Sequence, residues 1–153
     1  MITYLNFPPG TILLEEQNGV LTRCLFSAEA PGGVCADVSH DGVLARAATQ
    51  LAEYFTGVRT QFELPLAPAA TAFQDAVRRA LRGIPYGTTA TYSELAGMMG
   101  CPGAVRVVGR ALGANPFHVI VPCHRIVPAT GYPGGYAAGS EIKGYLLRLE
   151  KAR

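Results

Sequence analysis

The sequence predicts an α/β N-terminal domain, a small antiparallel sheet with a helix, followed by a mainly α C-terminal domain. Three observations carry that reading. β-prone runs and a tight-turn signal crowd the first 26 residues, helical periodicity dominates beyond residue 70, and Pro65-Leu66-Ala67-Pro68-Ala69-Ala70 stands between them as a natural linker. At 153 residues the chain can build one core or two small ones. The expected division is 1–68 and 69–153.

In the first part, Thr11 to Leu14 and Val20 to Phe26 flank Gln17-Asn18-Gly19, so a hairpin is expected. Leu44, Ala47, Ala48, Leu51, Ala52 and Phe55 recur at the spacing of one helical face, with Gly57 where a C-cap belongs. Phe62, Leu64 and Leu66 alternate with Gln61, Glu63 and Pro65, the pattern of an edge strand or extended segment.

Past the linker, Thr71 with Gln74 reads as a capping box opening a helix with Phe73, Ala76, Val77, Ala80 and Leu81 on one face. Ile84-Pro85-Tyr86-Gly87 then leads to a second box, Thr91 with Glu94, and a helix to about Met99. Gly100-Cys101-Pro102-Gly103 is a turn, with Pro102 suited to the first position of the next helix. That helix sets Ala104, Val107, Val108, Ala111 and Leu112 on one face and Arg106, Gly109, Arg110 and Gly113 on the other. Two short helices about a tight turn make a helix-turn-helix-like unit whose second helix would present Arg106 and Arg110. The geometry also occurs in proteins that never touch DNA.

Composition excludes several classes. No apolar stretch approaches membrane-spanning length, and Met1-Ile2-Thr3-Tyr4 lacks the charged and then apolar pattern of an export signal, so a cytoplasmic location is expected. Cys24, Cys35, Cys101 and Cys123 are scattered without metal-ligand or redox spacing, which favours free thiols. Cys24, Cys35 and His40 fit no tight knuckle, and no metal is expected. The net charge of +2 conceals an asymmetry. Residues 1–68 carry three Arg against seven acids, or −4, whereas residues 69–153 carry ten Lys or Arg against four, or +6. Such a basic half suits a phosphate backbone, and suits a solvated surface equally well.

The chemistry points to Pro122-Cys123-His124-Arg125-Ile126, which follows the apolar run Val119-Ile120-Val121 and so places a thiol at the end of an expected buried strand. A thiolate is the attacking form of cysteine, and a neighbouring imidazole or cation lowers its pKa; His124 and Arg125 would supply both influences. Adjacent side chains of an extended segment diverge, so His124 would reach the sulfur through a bend or a water.

PCHRI around Cys123, AVRVVGRAL around Arg106, ANPFHVIVPCHR with Asn115-Pro116, and IPYGTTATYSELA upstream together resemble the O6-alkylguanine-DNA alkyltransferase family. The resemblance covers residues 71–153 without a gap, and QLAEYFTGVRTQFELPL resembles the end of that family's N-terminal domain. It implies a ribonuclease-H-like first domain and a winged-helix or helix-turn-helix-like second one. The implied activity is single-turnover transfer of an alkyl group from O6-alkylguanine in double-stranded DNA, with the nucleotide flipped out; O4-alkylthymine as a second substrate stays open.

Residue by residue, the resemblance makes Cys123 the alkyl acceptor and His124 the base that takes its proton through a water. Glu150 orients that imidazole from the end of a helix with an expected apolar face of Ile142, Tyr145, Leu146 and Leu149. Asn115 holds the turn before the active-site segment, and Tyr92 donates a proton or hydrogen bond to the departing guanine. The guanine lies under Tyr136 and the backbone of Ile126 and Ala137. Arg106 fills the gap left by the extruded nucleotide, and Arg106, Arg110, Tyr92 and Arg125 contact DNA. No cofactor is implied, and a monomer is the default. Arg78 departs from the family, which often has Trp there. Three rival readings stand beside it: a module that flags alkylated DNA without repairing it, a group lacking the acceptor cysteine; a cysteine hydrolase using Cys123, His124 and Glu150, which would turn over; and a DNA-binding regulator, as when such a domain is fused to a metal-binding sensor.

Overall fold

Asn18 and Gly19 both take positive φ, 53° and 82°. This is the backbone that a two-residue type I′ turn demands, and its twist matches the strands it joins. In the computed structural model, which describes residues 1–27, 42–130 and 134–151, that turn folds β2 (Gly10–Gln17) onto β3 (Val20–Phe26). A further strand that the sequence reading did not mark, β1 (Ile2–Phe7), pairs antiparallel with the other edge of β2, giving the order β1-β2-β3. The chain divides into two compact units, Met1–Ala67 and Pro68–Arg153.

In the first unit α1 (Val43–Phe55) packs against the sheet. Its buried face is Val43, Leu44, Ala47, Gln50, Leu51, Tyr54 and Phe55, while Ala52, expected inside, is exposed. Phe55 stacks on Phe7 at 4.5 Å between ring centroids. Buried Gln50 accepts from Glu63 N at 2.9 Å and donates to Glu63 O at 3.2 Å, satisfying an amide that would otherwise cost about 1–3 kcal/mol. It thereby pins the extended segment leading to Leu66, which bridges Leu21.

The second unit is mainly helical. Thr71 Oγ1 accepts from Gln74 N and opens α2 (Ala72–Arg82). The reciprocal capping box of Thr91 and Glu94 opens α3 (Tyr92–Met98). α4 begins at Val105 and runs to Gly113; Pro102 sits in the preceding turn, which closes by Ala104 N donating to Cys101 O, so the helix starts later than the proline suggested. α2, α3 and α4 pack on one another through Val77, Leu81, Leu95, Ala96, Val108 and Leu112. Val107, assigned to the inner face by periodicity, is 44% exposed.

The two-stranded sheet β4 (Ala90–Thr91) and β5 (Ile126–Val127) is parallel, and α5 (Ser140–Leu149) closes the unit. Among the described residues no helix is long and apolar enough to cross a membrane. Cys35 and His40 lie outside the described residues; among the described ones no three His, Cys, Asp or Glu side chains form a metal-holding group.

Candidate active site

The run before the thiol is not a strand. Phe117 to Val121 fold through tight turns, with Ile120 N donating to His118 O at 2.7 Å and Val121 N to Phe117 O at 3.1 Å. Burial alone made Val119-Ile120-Val121 look like a strand, and a short buried apolar run satisfies that pattern in either backbone. Val119 takes φ 69°, a left-handed backbone that a β-branched residue rarely adopts and that costs on the order of 1–3 kcal/mol. Cys123–Arg125 then form one turn of 3-10 helix, and β5 begins after the cysteine.

That single turn splits the three side chains. Cys123 faces a cavity of about 280 Å³ lined by Tyr92 of α3, by Gly109, Leu112 and Gly113 of α4, and by Gly135, Tyr136 and Ala137. Asn115 Nδ2 donates to Cys123 Sγ at 3.2 Å and to Phe117 O at 3.0 Å, while its Oδ1 accepts from Phe117 N at 3.1 Å. One buried amide therefore fixes the turn and touches the sulfur. Burial pushes the Cys123 thiol up; hydrogen bonding by Asn115 and Tyr136 and the charge of Lys143 oppose the shift without cancelling it. The resting group is a thiol, so a base must take its proton.

His124 is fully buried, and its Nε2 lies 2.7 Å from Glu150 Oε2. Burial lowers the imidazole pKa, against the bond and charge of Glu150, which leaves the ring neutral. Burial pushes the Glu150 carboxyl up, but His124 and Arg125 outweigh it and hold it at about 2. An ionised Glu150 accepts from Nε2–H, so Nδ1 keeps the lone pair. Nδ1 is buried without a hydrogen-bond partner among the described residues.

Arg125 is neither beside the thiol as an activating cation nor on the surface as a DNA contact. It is buried, donating from Nε to Glu150 Oε1 at 2.8 Å, from Nη2 to Oε2 at 3.2 Å and from Nη1 to Ile84 O at 2.8 Å. The loop Ile84 to Gly87 cradles this pair, with the Tyr86 ring 5.7 Å from the guanidinium and Gly87 N donating to Glu150 Oε1 at 3.4 Å. Gly87 has φ 80°, and a Cβ there would meet Glu150 O at 3.2 Å. The sequence expectation for Arg125 thus fails because a bidentate carboxylate holds it inside.

Other expected site residues divide. Tyr92, Tyr136 and Ala137 wall the cavity beside Cys123. Burial, with the nearby Cys123, raises the Tyr92 phenol and keeps it a proton donor. The Tyr136 ring packs 5.4 Å from that of His118. Arg106 and Arg110 are exposed on α4. Ile126 is fully buried and does not line the cavity; its carbonyl accepts from Lys143 Nζ.

Lys143 is the buried charged residue beside this site that the sequence reading missed. The inner face of α5 is Lys143, Gly144, Leu146 and Leu147, with Glu150 following as C-cap, whereas Ile142, Tyr145 and Leu149 are half-buried. The available signal was the i, i+3, i+4, i+7 spacing of Lys143, Leu146, Leu147 and Glu150. Arg78, where the family often has Trp, covers the Phe117 ring at 5.0 Å.

A buried thiol held by Asn115, flanked by a Glu-oriented histidine and walled by a helix-turn-helix-like unit, defines a cysteine-centred site. Two family models match: "6-O-methylguanine DNA methyltransferase, ribonuclease-like domain" over residues 1–68 and "6-O-methylguanine DNA methyltransferase, DNA binding domain" over residues 72–152. The methylated-DNA--protein-cysteine methyltransferase of Methanosarcina barkeri is 50% identical over 94% of this chain and 92% of its own. That of Mycobacterium bovis is 47% identical over 100% and 94%. Among solved structures, Mycobacterium tuberculosis OGT in complex with DNA aligns with TM-score 0.85 and 39% identity over 97% of this chain and 91% of that one. The chain belongs to the 6-O-methylguanine DNA methyltransferase family.

Proposed function

We propose that the chain repairs DNA by moving the alkyl group of an O6-alkylguanine onto Cys123 in a single turnover, with Arg106 and Arg110 engaging the duplex. The observation that carries this reading is the split around Cys123: the thiol faces the cavity while neutral His124, tied to Glu150, keeps Nδ1 as an acceptor. A base with a pKa near or below neutrality takes a thiol proton in a dry site, directly or through one water.

The reacting carbon is stacked inside a duplex, so the nucleotide must leave the stack at a cost of a few kcal/mol. Arg106, exposed on α4, would fill the gap, and Arg110, exposed on the same helix, would meet phosphate. In the cavity His124 receives the Cys123 proton, the sulfur bonds to the alkyl carbon, and the carbon–O6 bond breaks with its electron pair passing to the guanine. Tyr92 supplies the proton that restores guanine. The guanine and its alkyl group would enter the cavity of about 280 Å³ beside Cys123.

The product is a thioether, a poor leaving group, so each molecule reacts once. The labour divides with Pro68–Arg153 holding every residue named in this mechanism. A reducing cytoplasm would keep Cys123 as a thiol. Titrating a duplex with one O6-methylguanine against the protein tests the reading: methyl transfer should stop at one equivalent per protein and be abolished in Cys123→Ser. Continued turnover would instead indicate a hydrolase.

A further inference from the structure

We infer that Arg78 is a positioning residue for the reaction at Cys123: its guanidinium, laid over the Phe117 ring, holds the turn that aims the Asn115 amide at Sγ. The inference rests on Cys123 being the alkyl acceptor. α2 buries Val77 and Leu81 and leaves Arg78 half-buried at the edge of that face, whereas Arg79 and Arg82 are exposed. From there Cζ of Arg78 comes within 5.0 Å of the centroid of the fully buried Phe117 ring. A guanidinium over an aromatic face is attracted by the ring quadrupole, and its methylene stem keeps water off the same face.

Phe117 is where the contacts of this turn converge. Its N–H donates to Asn115 Oδ1 at 3.1 Å, and its carbonyl accepts from Asn115 Nδ2 at 3.0 Å and from Val121 N at 3.1 Å. The same Nδ2 lies 3.2 Å from Cys123 Sγ and 3.4 Å from Val121 O. The path from α2 to the sulfur is thus guanidinium on ring, peptide on amide, and amide on Sγ. Backbone preference does not hold the turn in this shape, because Val119 within it takes φ 69°. A β-branched residue stays in that region only where its surroundings over-determine it. Asn115 constrains the turn through the Phe117 backbone, and Arg78 constrains it through the ring.

Small displacements matter at Sγ. A hydrogen bond donated to sulfur favours its ionised form, and such a bond weakens steeply once its angle opens. Asn115 Nδ2 divides its hydrogens among Phe117 O, Val121 O and Sγ, so a relaxed turn satisfies the amide without the sulfur. Uncovering Phe117 therefore lowers the reactivity of Cys123. The cavity is lined from α3, α4 and the Gly135–Ala137 segment, so Arg78 acts from outside it.

The test compares the full chain with Arg78→Ala, with Arg78→Lys, which keeps a cation for the ring, and with Arg79→Ala, which removes an exposed charge one residue along α2. Alkylation of the Cys123 peptide by iodoacetamide, followed by mass and without DNA, should slow about two- to tenfold in Arg78→Ala, the range one cation–π contact can transmit. Arg78→Lys should recover most of the rate, and Arg79→Ala should match wild type. In heteronuclear NMR the side-chain amide signals of Asn115 should shift and lose protection from solvent exchange in Arg78→Ala, and stay close to wild type in the other two. Arg78→Ala leaves Val77 and Leu81 in place, and Arg78→Gln, closer in size, repeats the measurement. An unchanged iodoacetamide rate overturns the inference even where methyl transfer from an O6-methylguanine duplex falls, since that pattern puts Arg78 at the DNA. Unmoved Asn115 signals overturn it as well, and so does an equal loss in Arg79→Ala, which assigns the effect to the charge of α2. Wild type that leaves the duplex methylated sinks the acceptor reading itself, whereas wild type that takes the methyl group beside an indifferent Arg78→Ala sinks only the role of Arg78.

Discussion

Glu150 is the residue on which the charge arrangement of the site turns, because one carboxylate orients His124 and neutralises Arg125 at once. Replacing it by Gln keeps the shape and leaves a buried guanidinium unmatched. Glu150→Gln should cost about 3–5 kcal/mol in urea unfolding at neutral pH, and should slow transfer because His124 loses its fixed tautomer. The pH dependence follows from a depressed carboxyl pKa. The contribution of Glu150 is fully present above its unfolded value of 4.5 and is lost as pH falls towards about 2, so wild-type stability should drop through that window more steeply than that of Glu150→Gln. Parallel acid limbs in the two proteins would contradict this assignment.

Cys123 and His124 were legible because a short motif names them, whereas Glu150 came only with the family resemblance. Arg125 and Lys143 were not, since sequence marks a cation without showing the carboxylate or carbonyl that draws it inside, and most such side chains stay in water.

At the scale of elements, α4 both walls the cavity and carries the exposed arginines. Gly109 lies inside this helix, and a Cβ there meets nothing within 4 Å. Gly109→Ala should therefore stabilise the helix by about 1 kcal/mol while narrowing the cavity. Thermal melts and paired rates with O6-methyl- and O6-benzylguanine duplexes check both effects: the expected outcome is a higher Tm with the benzyl rate falling more than the methyl rate. The cap of α3 was read closely from sequence, since Thr91 and Glu94 specify their own reciprocal bonds, whereas the box expected at Thr71 and Gln74 is seen as the single bond from Gln74 N to Thr71 Oγ1. The 119–121 run was misread because hydrophobicity reports burial and not backbone path; the path there is set by Asn115 and by turns closed around a strained Val119.

At the scale of the whole molecule, charge separates along the chain, −4 before residue 69 and +6 from it onward. A duplex-binding surface on the basic part makes affinity salt-dependent. Arg110→Ala, whose side chain is assigned to phosphate, should flatten the slope of log K against log salt by about 0.9, whereas Arg106→Ala, assigned to the gap, should weaken binding with less change of slope. An unchanged slope for Arg110→Ala together with unchanged affinity for Arg106→Ala, from fluorescence titrations at several salt concentrations, would remove α4 from the interface. The two-unit organisation was visible in the proline-rich segment 65–70, where the β pattern gives way to a helical one; β1 went unmarked although Ile2, Thr3, Tyr4 and Phe7 are β-prone, and its place in the sheet comes from pairing with β2.

Above all, Cys123 itself should receive the alkyl group. Peptide mass mapping after mixing the protein with a duplex carrying one O6-methylguanine tests this most directly. A single added methyl is expected on the Cys123 peptide, stoichiometric with protein, and no label on the Cys24 or Cys101 peptides. Protein that binds the lesion yet returns every cysteine peptide unmodified would contradict it and leave the chain a damage-recognition module.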